Sequence, residues 1–143
     1  MKNMYDYINE TWQKYYKEKP EEYKAYLVKW RSEPRIVRVE KPTRLDRARA
    51  LGYKEKPGYV VVRIRVSKGG MKLQRPRSGR RQKHLGSKLI SGQKSKEQIA
   101  LERARKVFVN LRPLGIYYLG EDGKYVWYEA VFIDPQLVKI DSR

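Results

Sequence analysis

The chain has 143 residues, of which 34 are Lys or Arg and 16 are Asp or Glu, so its net charge is +18 and its isoelectric point is near 10.1. This length fits a single domain, 1–143, and the charge exceeds what solubility requires, which predicts a polyanionic partner, nucleic acid first. The absence of cysteine excludes disulfides, thiolate metal sites and cysteine nucleophiles. No apolar stretch approaches the roughly 20 residues that span a bilayer, so we expect a soluble, intracellular protein.

The excess charge lies in the middle of the chain. Residues 31–94 contain 12 Arg and 8 Lys against four acids, whereas the two flanks together carry a net charge of only +2. This asymmetry predicts that the central part contacts a polyanion and that the flanks are ordinary, nearly neutral protein.

Aromatic residues at helical spacing dominate the first 30 residues. Two successive stripes predict an amphipathic helix that starts near Asn3 and a second one that begins at Pro20, or one helix bent there. The rings would also suit stacking on bases, although helical spacing favours a buried face. The stripes are Ile8, Trp12, Tyr15 and Tyr16, then Tyr23, Tyr26, Leu27 and Trp30.

A basic extended segment and helix follow, at 31–52. Two prolines make 33–43 extended and irregular, and Thr43 with Asp46 has the spacing of a capping box for a short helix that Gly52 ends. Phosphates can bind to arginine side chains and free backbone N–H groups at such a helix start, and a capped surface helix with solvated charges is the alternative. The candidate RNA-binding residues are Arg35, Arg38, Lys41, Arg44, Arg47 and Arg49.

The clearest predicted strand is 58–66. Four apolar residues alternate with a row that becomes cationic toward its end, so we expect one face to pack and the other to meet solvent or RNA. Arg63 and Arg65 on this second face are candidate RNA-binding residues, because a pleated sheet holds their guanidinium groups in place. A salt bridge to a neighbouring strand is the alternative.

The next segment, 67–94, contains five Lys, four Arg, five Gly, the only His of the chain and no acid. A segment of this composition cannot bury enough apolar surface to fold alone. We therefore predict that it is a basic RNA-binding loop that becomes ordered on RNA. A linker with incidental charge is the alternative. The candidate residues are Lys68, Lys72, Arg75, Arg77, Arg80, Arg81, Lys83, His84 and Lys88.

The remaining residues predict a helix and a β-hairpin. Ser95 and Gln98 form a second capping box, and two strands, 114–119 and 124–133, are joined by a Gly- and Asp-containing turn. The fold class is therefore α+β, with a small, mainly antiparallel sheet packed with helices and long basic irregular extensions. The inward stripe of the helix is Ala100, Leu101, Ala104, Val107 and Phe108.

Seven short motifs carry a resemblance to a known family. Together, and in the same order, they resemble the eukaryotic and archaeal large-subunit ribosomal protein fifteen-e family, which differs from the bacterial protein fifteen. The basic stretch at 75–81 is more similar to the archaeal branch. The motifs are YDYI at 5–8 with Trp12, KPTRLDRAR at 41–49, LGYK at 51–54, GYVVVRIRV at 58–66 with Gly69 and Gly70, ALERA at 100–104, GED at 120–122 and FIDP at 132–135.

The resemblance implies a structural and assembly role in the cytoplasmic ribosome, with large-subunit rRNA and neighbouring ribosomal proteins as partners. It also implies no catalysis, cofactor, metal, small-molecule substrate or membrane. Leu45 stands where the family usually has Pro. Members usually continue beyond Asp134 and Pro135 with a long basic tail, whereas this chain stops at Arg143, and a truncated chain, a shortened lineage and a paralogue are all open.

Two other classes of function compete with the ribosomal one. An RNA-processing enzyme would need a catalytic constellation, and His84 has no Ser or carboxylate at a recognisable spacing. Glu121, Asp122 and Asp134 are candidate metal ligands, but they indicate a turn and a strand end instead. A DNA-compacting chromatin protein would have the same composition, and competition between rRNA and duplex DNA would distinguish it.

Overall fold

A four-stranded antiparallel sheet in the order β1-β2-β4-β3 lies at the centre of the fold. The structure is a computed structural model that describes residues 1–69, 77–84 and 92–139. The strands are β1 (Ile36–Val39), β2 (Tyr59–Ser67), β3 (Arg112–Glu121) and β4 (Tyr125–Ile133), and the helices are α1 (Met4–Glu18), α2 (Glu21–Ser32), α3 (Leu45–Ala50) and α4 (Lys96–Val107), with a short 3₁₀ turn at Gln82–His84. The predicted α+β class is confirmed, and the long basic extensions stay a prediction.

Helices cover both faces of the sheet. On one face, side chains of α1, α2 and α3 pack with Val61 and Trp127, and on the other α4 packs with Val62 and Ile64. The expectation that one face of β2 meets solvent or RNA is therefore wrong at Arg63, which lies under the N-terminal helices, whereas Arg65 on the same face is half-buried. Each large apolar side chain that is fully buried in these two layers stabilises the fold by roughly 1.5–3 kcal/mol.

Of the two alternatives left open by the sequence, one bent helix or two helices, the structure has two separate helices. Asn3 and Asp6 form a reciprocal capping box, in which Asn3 Oδ1 accepts from Asp6 N–H at 3.0 Å and Asp6 Oδ2 accepts from Asn3 N–H at 2.9 Å. α1 ends at Lys19, which has a left-handed φ of 51°, and Pro20 is the N-cap of α2. Most rings of both stripes are buried or half-buried, which confirms a packed face, and Tyr26 is 39% exposed.

The capping box predicted for α3 is wrong. Arg44 is the N-cap and no side chain caps the helix, because Thr43 Oγ1 donates to Glu129 on β4 and Asp46 Oδ2 binds the Arg44 guanidinium. Gly52 follows the helix with a φ of +104°, so the predicted end is confirmed. The segment 33–43, predicted to be irregular, contains β1.

The C-terminal elements differ from their predictions in two places. Ser95 caps α4 by accepting from Gln98 N–H at 3.3 Å, but Val107 is 58% exposed and does not belong to the inward stripe. β3 begins at Arg112 and includes Pro113, so it starts before the strand predicted at 114–119. An edge strand tolerates a proline because one side of its backbone needs no hydrogen-bond partner from the sheet.

We expect Gly120→Ala to lower the free energy of unfolding by about 1–3 kcal/mol, because overpacking forces a tight core apart. A Cβ at Gly120 would lie 2.8 Å from Tyr23 Oη and 3.1 Å from Trp30 Cζ3. Urea denaturation measures the change. Gly123→Ala is the matched control, since nothing lies within 4 Å of its added Cβ, and equal denaturation midpoints for both variants would contradict tight packing at Gly120.

Candidate RNA interface

The basic segment of 31–52 exposes most of its cations along the β1 edge of the sheet and on α3. Arg38 lies in β1 opposite Val62, and because β1 pairs only with β2 it forms one edge of the sheet. These side chains are accessible to a polyanion without any change in the fold. The exposed candidates of this segment are Arg35, Arg38, Lys41, Arg47 and Arg49.

Arg63 is buried, which corrects its interpretation as an RNA-facing residue. It lies directly opposite Glu129 in the pairing of β2 with β4, and only 7% of it is exposed. Its Nη1 donates to Glu33 Oε2 at 2.7 Å, its Nη2 to Thr43 Oγ1 at 3.0 Å, and its Nε to Glu129 Oε2 at 3.4 Å. Its guanidinium also lies 5.3 Å from the centre of the Trp30 ring. The structure instead has the alternative given for this residue, a salt bridge to a neighbouring strand.

Glu129 is the centre of this buried network. Its carboxylate is fully buried and accepts from Thr43 N–H at 2.9 Å, from Thr43 Oγ1 at 2.6 Å and from Tyr117 Oη at 2.5 Å. Burial, and then the Glu129 charge, raise the pKa of Tyr117, so the phenol stays protonated and donates a hydrogen bond to the carboxylate. Every oxygen of a buried acid needs such partners, because desolvating an unpaired carboxylate costs several kcal/mol.

Arg44 is buried as well, which corrects a second candidate. Its Nη2 donates to Asn9 Oδ1 at 3.1 Å and to Asp46 Oδ2 at 3.0 Å, and its Nη1 to Tyr16 Oη at 3.3 Å. The guanidinium also lies 5.7 Å from the centre of the Trp12 ring. Burial raises the pKa of Tyr16 to about 12, partly offset by Arg44. Arg44 therefore binds α1 to the start of α3.

The two buried arginines fix the frame from which the exposed cations project. Thr43 is bound to β4 through Glu129, and the next residue, Arg44, is bound to α1, so the chain between β1 and α3 has a defined path. Arg49 on α3 is held further by Tyr5 Oη, 2.7 Å from its Nη1. A fixed cation loses less conformational entropy on binding a phosphate than a mobile one.

Two candidates lie at the other end of β2, beside the turn that joins β3 and β4. Arg65 is half-buried, and its guanidinium carbon lies 4.4 Å from the centre of the Tyr125 ring. Lys68 Nζ forms an ion pair with Glu121 Oε2 at 3.0 Å. The Lys96 side chain at the start of α4 donates to Ser67 O at 3.1 Å. Both ends of the acid-free segment 67–94 thus meet here.

Within 67–94, the structure describes the first three residues, 77–84 and 92–94. All candidates in the middle range are exposed, which suits contacts with RNA. The candidates Lys72, Arg75 and Lys88 lie outside the described residues. The exposed ones are Arg77, Arg80, Arg81, Lys83 and His84.

The candidate metal ligands have structural contacts instead. Asp122 Oδ1 accepts from the N–H groups of Lys124 and Tyr125, and Asp134 Oδ1 accepts from Gln136 N–H. Among residues 1–69, 77–84 and 92–139, no three His, Asp or Glu side chains are grouped so that they could hold a metal ion. In the same ranges, no helix is long and apolar enough to cross a membrane.

Comparison with known proteins identifies the family. A family model described as Ribosomal L15, named Ribosomal_L15e, matches residues 3–143. The chain belongs to the L15e family of ribosomal proteins. The resemblance inferred from the seven sequence motifs is confirmed.

One L15e relative allows the length of this chain to be compared with that of a family member. The large ribosomal subunit protein eL15 of Metallosphaera sedula is 55% identical over 109 residues, which are 76% of this chain and 50% of that protein. The chain therefore matches about half the length of this curated relative.

Sequence reasoning missed the acid that organises this L15e chain. Glu129 lies in β4, where all the remaining residues from Val126 to Ile133 are hydrophobic and buried. An acid inside such a strand is itself a signal, because a buried carboxylate requires a buried cation or several donors. The same signal would have predicted a buried cationic partner for this strand, but not which of the two β2 arginines, Arg63 or Arg65, it is.

Proposed function

We propose that this chain is a structural constituent of the large ribosomal subunit that binds and stabilises large-subunit rRNA through Arg and Lys contacts to phosphates. Membership of the L15e family over residues 3–143 is the observation that carries this proposal. Its partners are then rRNA and neighbouring ribosomal proteins, and its place is the cytoplasmic ribosome. We expect no catalysis, no cofactor and no small-molecule substrate, because assembly and positioning are the work of such a protein.

The exposed and half-buried cations support the proposal, and they are the contacts that we propose. They lie in three groups: the β1 edge with α3, the end of β2, and the segment 77–84. Guanidinium groups bind phosphates bidentately, and Lys side chains bind them as point charges. Arg44 and Arg63 are left out, since both are buried and their Nη groups are hydrogen-bonded inside the fold. The proposed RNA-binding residues are Arg35, Arg38, Lys41, Arg47, Arg49, Arg65, Lys68, Arg77, Arg80, Arg81, Lys83 and His84, with Lys72, Arg75 and Lys88 as further predictions from sequence.

Competition between structured large-subunit rRNA fragments and duplex DNA tests the class of partner. We expect rRNA to compete at much lower concentration than DNA of equal charge, measured at several salt concentrations because phosphate binding depends on salt. Equal competition by both polymers would favour the DNA-compacting alternative. Cosedimentation with large subunits provides an independent check.

The contribution of the β1–α3 surface is tested with Arg38→Gln combined with Arg47→Gln. We expect weaker rRNA binding and an unchanged melting temperature. The salt dependence, which is the slope of log affinity against log salt concentration, should become shallower by about one unit for each phosphate that is no longer bound. Arg103→Gln with Arg105→Gln on α4 is the control, because both residues are exposed and lie outside the proposed interface. Equally weakened binding in the two double variants would contradict a localised interface.

A further inference from the structure

Four residues form a compact site beside the β3–β4 turn, which we call the hairpin platform: Arg31, Arg65, Lys124 and Tyr125. The Tyr125 ring is its floor, with the Arg65 guanidinium carbon 4.4 Å and Lys124 Nζ 5.3 Å from the ring centre. Arg65 Nη1 also donates to Arg31 O at 3.4 Å, which brings the end of α2 to the same place. Two cations thus lie over one aromatic ring, and the Arg31 backbone lies beside one of them.

The carboxylates near the platform are already engaged. Asp122 Oδ2 binds Arg31 Nε at 2.6 Å and its Oδ1 accepts two backbone N–H groups, while Glu121 pairs with Lys68. Burial alone would raise the pKa of Asp122, but the hydrogen bonds from Tyr125 N–H and Arg31 outweigh it and lower the pKa, so the acid is ionised and committed to the turn. Within the described residues, Arg65 and Lys124 have no carboxylate partner.

Arg65 is held in a geometry suited to an anion. The Tyr125 ring lies against the guanidinium, and within the described residues a neutral carbonyl accepts from one of its five N–H donors. A stacked guanidinium with free donors is preorganised for bidentate binding of a phosphate, which is why arginine is preferred to lysine at such sites. Lys124 Nζ lies 5.3 Å from the centre of the same ring and adds a second positive charge to the platform.

We propose that the hairpin platform is a specific binding site for one RNA phosphodiester, held bidentately by Arg65 and flanked by Lys124 and Arg31. This proposal rests on the proposed function, since it takes RNA as the partner. Neither Arg31 nor Lys124 belongs to the residues assigned to RNA binding above, and Tyr125 acts as a positioning residue beneath Arg65. The site differs from the β1–α3 surface because its cations come from α2, β2 and the turn before β4.

The position of the platform in the fold supports this proposal. Lys68 N–H donates to Lys124 O at 2.7 Å, so the acid-free segment 67–94 leaves the sheet beside the platform. Just beyond its far end, Lys96 Nζ at the start of α4 donates to Ser67 O at 3.1 Å and Gly69 O at 3.4 Å. Arg35 O accepts from Arg65 N–H at 2.9 Å, so the β1 edge begins at the same place. An RNA backbone bound here would reach both other basic surfaces.

Two substitutions of Arg65 distinguish the contribution of its positive charge to RNA affinity from that of its guanidinium geometry. Filter binding of a structured large-subunit rRNA fragment over a range of salt concentrations gives both the affinity and its salt dependence. We expect Arg65→Gln to lower affinity about tenfold and to make the salt dependence shallower by about one unit. We expect Arg65→Lys to lower affinity nearly as much with an unchanged salt dependence, because it keeps the charge and removes the fork.

Two further variants complete the test. Tyr125→Leu keeps every charge and removes the ring, so we expect weaker binding with an unchanged salt dependence, provided that its melting curve shows a folded protein. Lys124→Gln should lower both affinity and salt dependence, whereas its control, Lys106→Gln on α4, should change neither.

Each negative outcome has a distinct meaning. If the unaltered chain binds rRNA and Arg65→Gln binds equally well, the platform is refuted and the proposed function stands. If Arg65→Lys binds as tightly as the unaltered chain, the site is a general cationic surface and the bidentate proposal is overturned. If the unaltered chain does not bind rRNA in preference to DNA, the proposed function itself fails.

Discussion

Glu129→Leu is expected to lower the free energy of unfolding by about 3–5 kcal/mol, the range found when one partner of a buried ion pair is removed. The substitution leaves the Arg63 guanidinium buried with a single carboxylate, that of Glu33. It also removes the acceptor of the Tyr117 hydroxyl and of the Thr43 N–H group. Chemical denaturation monitored by tryptophan fluorescence measures the decrease.

A double-variant cycle shows whether the cost comes from the uncompensated charge. Arg63→Met added to Glu129→Leu removes that charge, so we expect the double variant to be more stable than Glu129→Leu alone. Glu21→Leu, at a side chain that is 91% exposed, is the surface control and should change stability by less than about 0.5 kcal/mol. A double variant less stable than both single variants would contradict the ion-pair account.

The largest effect on RNA binding is expected from replacing Arg77, Arg80, Arg81 and Lys83 together by Gln. We expect the affinity for large-subunit rRNA to fall about 100-fold near physiological salt, and the salt dependence to become shallower by about three to four units, roughly one for each phosphate that is no longer bound. The melting temperature should stay unchanged because all four side chains are exposed. Filter binding and thermal denaturation measure the two quantities.

A charge-matched variant controls for the fall in net charge. Replacing Arg103, Arg105, Lys106 and Lys139 by Gln removes the same four charges from exposed positions outside the proposed interface. We expect this variant to keep most of its affinity. If both quadruple variants bind rRNA equally weakly, binding follows the total charge of the protein, and a dedicated basic loop at 67–94 is the wrong description.

The elements that sequence predicts well are those whose own residues decide their structure. The stripes of α1 and α2, the alternation in β2 and the Ser95 cap of α4 are local patterns, and each lies where it was expected, within one or two residues. β1 was harder to predict, because four residues between prolines become a strand only by pairing with β2.

The buried arginines show why the site was only partly predictable. Arg63 and Arg65 occupy the same face of one strand and look equivalent in sequence, yet the first is 7% exposed and the second is half-buried beside Tyr125. The difference arises from Glu129, 66 residues away in the chain, and from the helices that cover that part of the sheet. Long-range partners of this kind leave no local pattern, so burial of a cation has to be read from the fold.

The two edge strands of the sheet affect whether the protein aggregates before it binds RNA. β3 is a ten-residue edge strand, but Pro113 has no N–H group. Register shifts at Pro113/Gly115 and Tyr118/Gly120 also interrupt its regular pairing with β4. β1, the opposite edge, has only four residues and carries Arg38. Short, interrupted or charged edges are poor templates for strands of other molecules. A newly folded copy is therefore protected against edge-to-edge aggregation in part by the backbone of its edges, and this part does not depend on the repulsion that high salt or a bound polyanion would screen.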